Sequence, residues 1–350
     1  RTMPLHTPHY YVLALLALVL VPMHGVAVTL SMVANTPSGA APTISLQPPT
    51  VVVVGAGYAG LVAARDLRRA GIRVEVLEAA TRAGGRSFDY LDEATGRLVT
   101  EMGVEFVGNR EQSPSAYALF RDEYGLEIYP SGAYTANSTQ KLVCRNTAGQ
   151  PLQLGGPLLI AQLFRCISPS AAVEAVAFIA ELELLVNQMD AHRPWAHPRA
   201  AEFDAISWDA FVQRRLGPEA ATFINRGYAP GLSDAPGRVS FLHALFLAKT
   251  GGGLIQGLTG FNNGYRIKEG GGAAARQMAQ ELGASLRLNT PVTAIDHSSP
   301  DTIIVTTASG DRIAAHAVVV TGSPLGVRRI AFAPPLPHAT RRLLEGMHQG

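Results

Sequence analysis

A glycine-rich turn between two apolar segments, within residues 51–86, constrains the fold of this chain more than any other feature. Residues 51–54 are all valine, and a segment that is apolar on both faces is typical of a strand buried in a parallel sheet. Gly55, Gly57 and Gly60 follow with the spacing G-x-G-x-x-G. The first glycine permits a tight turn, the second lets the backbone approach a pyrophosphate, and the third lets a helix pack closely on the strand. The pattern predicts a nucleotide-binding turn.

A helix is predicted directly after this turn, over residues 58–70. Its face that includes Gly60 is expected to contact the sheet, which leaves Arg65 for the solvent. The first helical turn, with Ala59, carries free N–H groups and the positive end of the helix dipole. This end of the helix is therefore expected to face the phosphates of the ligand.

A second strand is predicted over Arg73–Leu77, and the acidic residue Glu78 follows it. A carboxylate at this place, with Ala79 beside it, can accept hydrogen bonds from ribose hydroxyls; it suits a free 2′-hydroxyl and repels a 2′-phosphate. Strand, turn, helix, strand and acid together predict a dinucleotide site. The alternative is a glycine-tolerant turn without a ligand, because the chain has 35 glycines and the short motif can occur by chance.

The motif R-x-G-G-R follows the acid, formed by Arg82, Gly84, Gly85 and Arg86. At this motif the chain resembles the flavin-dependent amine oxidases, the family that contains monoamine oxidases, polyamine oxidases and L-amino-acid oxidases. The resemblance implies FAD as the cofactor. It also implies that Gly84 and Gly85 bring the backbone against the cofactor and that Arg86 lies by the pyrophosphate and flavin. The alternative for Arg86 is a solvated surface arginine.

Later segments resemble the same family in the same order. They are residues 101–108, 240–253, 265–272, 291–296 and 317–324. In relatives the first of them passes the flavin, which implies a contact at Gly103, although Val104 stands where many members have a second glycine. Val292 matches a residue whose backbone touches the adenine side of the cofactor.

The resemblance implies an α/β fold with a Rossmann-like FAD-binding domain, which carries the G-x-G-x-x-G turn, and an inserted, mainly helical part of an α+β substrate domain. Residues 41–125 and 256–325 are expected to form the FAD-binding domain, and residues 126–255 the helical part. Residues 326–350 are expected to begin a second substrate segment, since family members run on beyond it. The chain is therefore expected to hold the ADP half of FAD and to be poorly active on its own.

The reaction implied by the resemblance is oxidation of the C–N bond of a primary or secondary amine to an imine, with O2 reduced to H2O2. Lys268 is the candidate for a lysine that holds a water near the flavin in many relatives; Glu269 makes the register ambiguous, so Arg266 is the alternative. The expected partners are a small-molecule amine and O2, and a homodimer is left open. Alternatives are another FAD oxidoreductase of the superfamily, such as an L-amino-acid oxidase, a polyamine oxidase or a desaturase, or an inactive FAD-binding fragment.

The first 40 residues are interpreted as a leader and linker. Residues 10–21 form an apolar run that ends at Pro22. The run resembles the apolar region of a signal peptide, and it is shorter than the ~20 residues that a membrane span needs. Secretion or a secretory-pathway route is therefore expected, and anchoring in a membrane by the same segment is the alternative. The sequon at Asn137 matters only in a eukaryotic secretory route.

The remaining features favour no further class of function. A net charge of +2 without charged blocks gives no support to a nucleic-acid partner. His192, His197 and His243 lack the spacing of metal ligands, so no metal site is expected. Cys144 and Cys166 are too few for a disulfide framework; two separate buried thiols are favoured, with pairing as the alternative if the protein is exported.

Overall fold

A computed structural model of the chain describes residues 18–20, 50–131, 142–146, 148–154, 164–232, 234–253 and 264–347. The chain divides into two compact units. The first is formed by Arg1–Phe88 with Ala275–Gln349, and the second mainly by Asp89–Ala274. Within the described ranges, no helix is both long and apolar enough to cross a membrane.

Strands and α-helices follow one another throughout the described ranges of the chain. They are β1 (Leu18–Leu20), β2 (Thr50–Val54), α1 (Tyr58–Arg69), β3 (Arg73–Leu77), β4 (Asp89–Leu91), β5 (Leu98–Glu101), β6 (Phe106–Val107), α2 (Pro114–Tyr117), β7 (Ile128–Pro130), β8 (Leu142–Arg145), β9 (Pro151–Leu154), α3 (Pro169–Gln188), α4 (Ala200–Asp204), α5 (Trp208–Arg215), α6 (Pro218–Leu232), α7 (Phe241–Thr250), β10 (Tyr265–Ile267), α8 (Ala273–Leu282), β11 (Leu286–Arg287), β12 (Val292–Asp296), β13 (Ile303–Thr307), β14 (Arg312–Ala315), β15 (Ala317–Val320), α9 (Pro324–Val327), β16 (Ala331–Ala333) and α10 (His338–Gly346).

A five-stranded sheet in the order β1-β15-β2-β3-β11 forms the base of the first unit. Strands β15, β2, β3 and β11 run parallel, whereas β1 pairs antiparallel with β15. All five residues of β2 are buried, which is the burial expected for a strand covered on both faces. The sequence predictions of β2, α1 and β3, and of a last parallel strand beside β2, are confirmed.

A second, four-stranded sheet in the order β14-β13-β12-β16 belongs to the same unit. Its inner residues share one apolar core with the parallel sheet. That core contains Val52, Val54, Leu77, Ile295, Ile303, Val305, Ala315, Val318, Val320, Val327, Leu336 and Leu344. The shared core means that residues 292–347, far from β2 in sequence, stabilise the sheet on which the glycine turn depends.

Two predictions about the first unit are wrong in detail. Arg65 is buried, with 8% of its surface exposed, instead of lying in the solvent. Its guanidinium pairs with the carboxylate of Asp66 at 2.8 Å, and this pairing offsets the cost of burying the charge. The strand predicted over residues 313–321 is interrupted at His316, whose N–H donates to the carbonyl oxygen of Thr50.

Helices α3 to α7 form the main core of the second unit. Phe203, Trp208 and Phe241 are among its largest fully buried side chains. As predicted, Ser207 is the N-cap of α5, where its hydroxyl accepts a hydrogen bond from the N–H of Ala210. Ser168 caps α3 in the same way.

Three small antiparallel sheets complete the second unit. They are β4-β5, β6-β10-β7 and β8-β9. Cys144 in β8 forms a disulfide with Cys166, so the favoured prediction of two separate thiols is wrong. The two Cα atoms lie 5.9 Å apart, within the range that a disulfide spans, and sequence spacing carries no information about that distance.

The compact units divide at Phe88 and Ala275, whereas the sequence-based domains change at residues 125 and 255. The difference arises because β10 pairs with both β6 and β7, which ties residues 106–130 to residues 265–267. The predicted FAD-binding and substrate domains stay predictions, since compactness assigns no function to either unit.

Candidate cofactor-binding site

The glycine turn leaves β2 at its carboxyl end and enters α1. Gly55 has a φ of 105°, a left-handed conformation that favours glycine, and its N–H donates to the carbonyl oxygen of Leu77. A Cβ on Gly60 would lie far closer than 3.0 Å to the carbonyl oxygen of Gly55. Helix α1 can therefore approach the turn this closely only with glycine at residue 60.

The first turn of α1 is suited to an anion. Gly57 is the N-cap and supplies no side-chain hydrogen bond, and the first helical turn contains no acidic residue. Ala59 is exposed, while Gly60 is buried. Backbone N–H groups and the helix dipole together attract negative charge to such an end.

The predicted glycine pair lies directly on the glycine turn. Gly57 and Gly84 form a parallel β-bridge, and the N–H of Gly84 donates to the carbonyl oxygen of Ala56 at 2.8 Å. A Cβ on Gly85 would lie 3.2 Å from the Cα of Gly57. Two glycine backbones are thus in direct contact, and a side chain on Gly85 would force them apart.

The two arginines of the R-x-G-G-R motif have different environments. Arg82 donates to the carbonyl oxygens of Gly85 at 2.8 Å and Ser87 at 3.3 Å, and its guanidinium lies 4.4 Å from the centre of the Phe88 ring. Arg86 is exposed, and among the described residues it has no hydrogen-bond or ion-pair partner. Arg82 therefore holds the loop together, and Arg86 is the arginine available to a ligand.

Glu78 lies at the end of β3, where its carboxylate accepts two backbone hydrogen bonds. Oε2 accepts from the N–H of Ala56 at 2.6 Å, and Oε1 accepts from the N–H of Ala80 at 2.8 Å. Ala79, which lies between Glu78 and Ala80 in the chain, is exposed. The carboxylate is thereby held at the glycine turn, with lone pairs left for further donors.

The loop before β12 is joined to the same place by backbone hydrogen bonds. The N–H of Glu78 donates to the carbonyl oxygen of Arg287, the N–H of Thr290 donates to that of Glu78, and the N–H of Asn289 donates to that of Ala80. Val292 then begins β12 and is half-buried. The fold thus places the segment of Val292 beside the acid strand, although more than 200 residues separate them in sequence.

Sequence reasoning missed Thr321 as a residue of this site. Its hydroxyl donates to the carbonyl oxygen of Val54 at 3.0 Å and to that of Gly55 at 3.2 Å. Its Oγ1 is also one of the atoms that a Cβ on Gly60 would meet. The signal was available, since Thr321 follows a strand predicted to lie beside β2 and the carboxyl ends of parallel strands meet at one edge of a sheet.

A model of the family described as flavin containing amine oxidoreductase matches residues 58–350. The chain belongs to this family. The resemblance found in the sequence is thereby confirmed, and FAD is the cofactor that the family implies.

Several flavin amine oxidases are similar to the chain in sequence. The putrescine oxidase of Kocuria rosea is 32% identical over 318 residues, a match that covers 85% of this chain and 61% of the relative. The flavin-containing amine oxidase A of Sus scrofa is 27% identical over 305 residues, covering 86% and 54%. The chain therefore spans less than two thirds of the length of these relatives.

Solved structures of amine oxidases are also similar to the chain. Wild-type putrescine oxidase bound to putrescine matches with a TM-score of 0.70 and 27% identity, over 85% of this chain and 63% of that one. Cyclohexylamine oxidase from Brevibacterium oxydans IH-35A matches with a TM-score of 0.70 at 24% identity, a likeness that shows the fold alone.

The other predicted site residues lie in the second unit. Gly103 is exposed in the bend between β5 and β6. Lys268 is 63% exposed, and its ammonium pairs with Glu127 at 2.5 Å; the hydrogen bond to Glu127 raises the pKa of Lys268. An exposed ion pair does not favour contact with a buried flavin, so the role of Lys268 stays a prediction without structural support.

His197 is buried in the second unit, where its ring contributes to packing and to a backbone hydrogen bond. His197 stacks near the Phe203 ring, 5.1 Å between centres, and its Nδ1 accepts from the N–H of Arg199. Burial lowers the pKa of His197. In the part of the chain that the structure describes, no group of three or more His, Cys, Asp or Glu is placed to hold a metal ion.

Substitution of Glu78 tests whether its carboxylate, at the end of β3, contributes to FAD binding. We expect Glu78→Gln to raise the Kd for FAD about ten- to a hundredfold, because charged hydrogen bonds contribute ~1.5–3 kcal/mol each. Flavin fluorescence during titration of the apoprotein measures this. The matched control is Glu75→Gln in the same strand, whose carboxylate pairs with Arg287 at 3.0 Å. Equal Kd values for both variants would contradict the assignment of Glu78.

Proposed function

We propose that this chain binds FAD through its Rossmann-like β2–α1–β3 segment, as part of an enzyme that oxidises the C–N bond of a primary or secondary amine to an imine and reduces O2 to H2O2. The observation that carries the proposal is the bridge between Gly57 and Gly84, which joins the dinucleotide turn to the R-x-G-G-R motif of the family. Bound FAD supplies the acceptor for the hydride of the amine.

The residues of the first unit supply the binding groups for the cofactor. The N–H groups at the start of α1 are suited to the pyrophosphate, and Arg86 adds a positive charge without a competing partner among the described residues. Glu78 accepts hydrogen bonds from ribose hydroxyls. The absence of side chains at Gly57 and Gly85 lets the glycine turn and the R-x-G-G-R motif pack directly against each other.

An aliphatic amine is the substrate class that the relatives favour. Two of the similar proteins are putrescine oxidases, one of them bound to putrescine. The alternatives are a related FAD oxidoreductase with another substrate and an FAD-binding chain without activity. A homodimer stays a prediction.

The visible absorbance of the purified chain tests the proposal. We expect a bound flavin spectrum that bleaches slowly when putrescine or a simple monoamine is added without oxygen, because the chain on its own is expected to be poorly active, and that returns when air is admitted. A sample without amine is the control for photoreduction. A chain that takes up no FAD contradicts the proposal, and one that binds FAD but is bleached by no amine supports the inactive alternative.

Export through a secretory route is part of the proposal. The apolar run over residues 10–21 supports it, and so does the disulfide between Cys144 and Cys166, since disulfides persist in oxidising compartments. Cell fractionation with N-terminal sequencing tests it. A shortened chain outside the cytoplasm supports export, and an intact chain in the membrane fraction supports the anchor. An intact cytoplasmic chain contradicts both.

A further inference from the structure

The hydroxyl of Thr321 lies where the parallel sheet of the first unit meets the glycine turn. Thr321 directly follows β15, and the register of β15 on β2 places Val320 opposite Val54. The N–H of Thr321 donates to the carbonyl oxygen of Val54 at 2.9 Å. Its hydroxyl donates to the same oxygen and to the carbonyl oxygen of Gly55. The side chain of Thr321 therefore extends the pairing of the two strands by one residue, into the turn.

Gly55, the first residue of the turn, is held from both neighbouring strands. Its N–H donates to the carbonyl oxygen of Leu77, the last residue of β3, at 2.8 Å. Its own carbonyl oxygen accepts from Thr321, on the side of β15. The left-handed conformation of Gly55 is thus fixed by one hydrogen bond at its N–H and one at its carbonyl group.

The peptide group between Gly55 and Ala56 is bound at both of its polar atoms. Its carbonyl oxygen accepts from Thr321 at 3.2 Å, and its N–H donates to Oε2 of Glu78 at 2.6 Å. Because a peptide group is planar, its carbonyl and N–H groups rotate together. The plane therefore cannot turn without weakening a hydrogen bond, and Thr321 shares with Glu78 the orientation of this peptide.

Two glycines of the turn leave the space that the Thr321 hydroxyl occupies. A Cβ on Gly55 would lie 2.7 Å from Oγ1 of Thr321, and a Cβ on Gly60 would lie 2.8 Å from the same atom. Both distances are shorter than Cβ atoms tolerate. The hydroxyl is therefore packed between the start of the turn and the first turn of α1, which contacts it through Gly60.

Loss of the hydroxyl would remove a donor from the Gly55 carbonyl inside this packed region. Ala56 and Gly60 are buried, and Gly55 and Thr321 are half-buried. An acceptor that loses its donor at such a place is unfavourable, and rotation of the peptide between Gly55 and Ala56 would relieve it. Helix α1 begins only two residues later, at Tyr58, so this rotation would also move the N–H groups at its start.

We propose that Thr321 is a positioning residue for the dinucleotide. Its hydroxyl, bound to the carbonyl oxygens of Val54 and Gly55, holds the glycine turn in the conformation that presents the N–H groups of α1 to the pyrophosphate. This inference rests on the proposed function. Thr321 acts through the turn, so it requires no contact of its own with the cofactor.

The test compares Thr321→Val, Thr321→Ala and Thr321→Ser with the wild-type chain. The Kd for FAD, the Kd for ADP in competition with FAD, and the Tm of the apoprotein are measured, with the titrations well below the lowest Tm. We expect the valine and alanine variants to raise both Kd values about tenfold, because ADP retains the two phosphates that the turn would bind. The alanine variant excludes a clash of the added methyl group as the cause. Thr321→Ser keeps the hydroxyl and should recover most of the affinity.

The matched control is Thr250→Val in α7. The hydroxyl of Thr250 also donates to two backbone carbonyl oxygens, those of Phe246 and Leu247, both at 3.1 Å. This variant should leave both Kd values unchanged, since Thr250 lies outside the first unit.

Three results would overturn the inference and leave the proposed function intact. Unchanged Kd values in Thr321→Val and Thr321→Ala, with a lower Tm or without one, would show that the hydroxyl at most stabilises the fold. A weaker Kd for FAD with an unchanged Kd for ADP would place the effect away from the two phosphates. A serine variant as weak as the alanine variant would show that the hydroxyl is not the group that matters. A wild-type chain that binds no FAD would refute the proposed function and, with it, this inference.

Discussion

Gly60→Ala is expected to abolish FAD binding at micromolar concentrations. The added Cβ would meet the carbonyl oxygen of Gly55, and Oγ1 of Thr321 at 2.8 Å. The first of these atoms is backbone, so it cannot rotate away; helix α1 must move from the turn, and its N–H groups move with it. Overpacking of this kind costs ~3 kcal/mol or more, which is roughly a hundredfold in Kd. Titration with FAD measures the change in Kd, and thermal unfolding of the apoprotein measures the change in its stability.

Gly231→Ala is the matched control for this substitution. Gly231 lies in α6, and among the described residues a Cβ there would meet no atom within 4 Å beyond its chain neighbours and the adjacent backbone of its own helix. Alanine is ~1 kcal/mol more favourable than glycine within a helix, so the control should keep its FAD affinity and melt at the same or a higher temperature. A Gly60→Ala chain with the wild-type Kd would show that the close approach of α1 is not needed for binding.

Removal of the disulfide is expected to destabilise the second unit substantially. The bond between Cys144 and Cys166 closes a loop with a sequence separation of 22 residues. Loop-closure entropy gives ~3 kcal/mol for a loop of this length. A unit of this size should then melt about 6–12 °C lower in the double variant Cys144→Ser/Cys166→Ser.

Reduction provides the control for the disulfide. Dithiothreitol should lower the Tm of the wild-type chain by a similar amount and leave that of the double serine variant unchanged. Thiol titration of the unfolded, unreduced chain should find no free cysteine. Two free thiols, with equal Tm values before and after reduction, would contradict the disulfide. FAD affinity is expected to change little, because none of the predicted cofactor-binding residues lies in the loop between Cys144 and Cys166.

The conformation of the glycine turn was predictable from local sequence because its requirements are largely local. Residues 51–54 specify a buried strand, and glycine is required at residue 60 by the carbonyl oxygen of Gly55, only five residues away. Glu78 was predictable for the same reason, since it ends the next strand of a short, regular unit. The structure confirms the positions of these elements, and the role of each residue toward FAD awaits titration of the variants with the cofactor.

Other features depend on residues far apart in sequence, and local patterns carried little information about them. Arg82 and Arg86 look equivalent in the motif, yet only Arg82 finds acceptors in the folded loop. Thr321 joins the glycine turn only because β15 pairs with β2. Arg266 was considered as a catalytic alternative, and its pairing with Glu101 appears only when β10 is placed beside β6.

The order of motifs in the sequence indicated the family and the cofactor that the family implies. The sequence also determined the strand–turn–helix unit, because short-range sterics specify it. Only the tertiary structure decided that Arg65 is buried, that Cys144 pairs with Cys166 and that Arg266 pairs with Glu101. Each of these depends on which distant side chains come within a few ångströms. Such distances are set by packing and desolvation over the whole unit, and no local pattern records them.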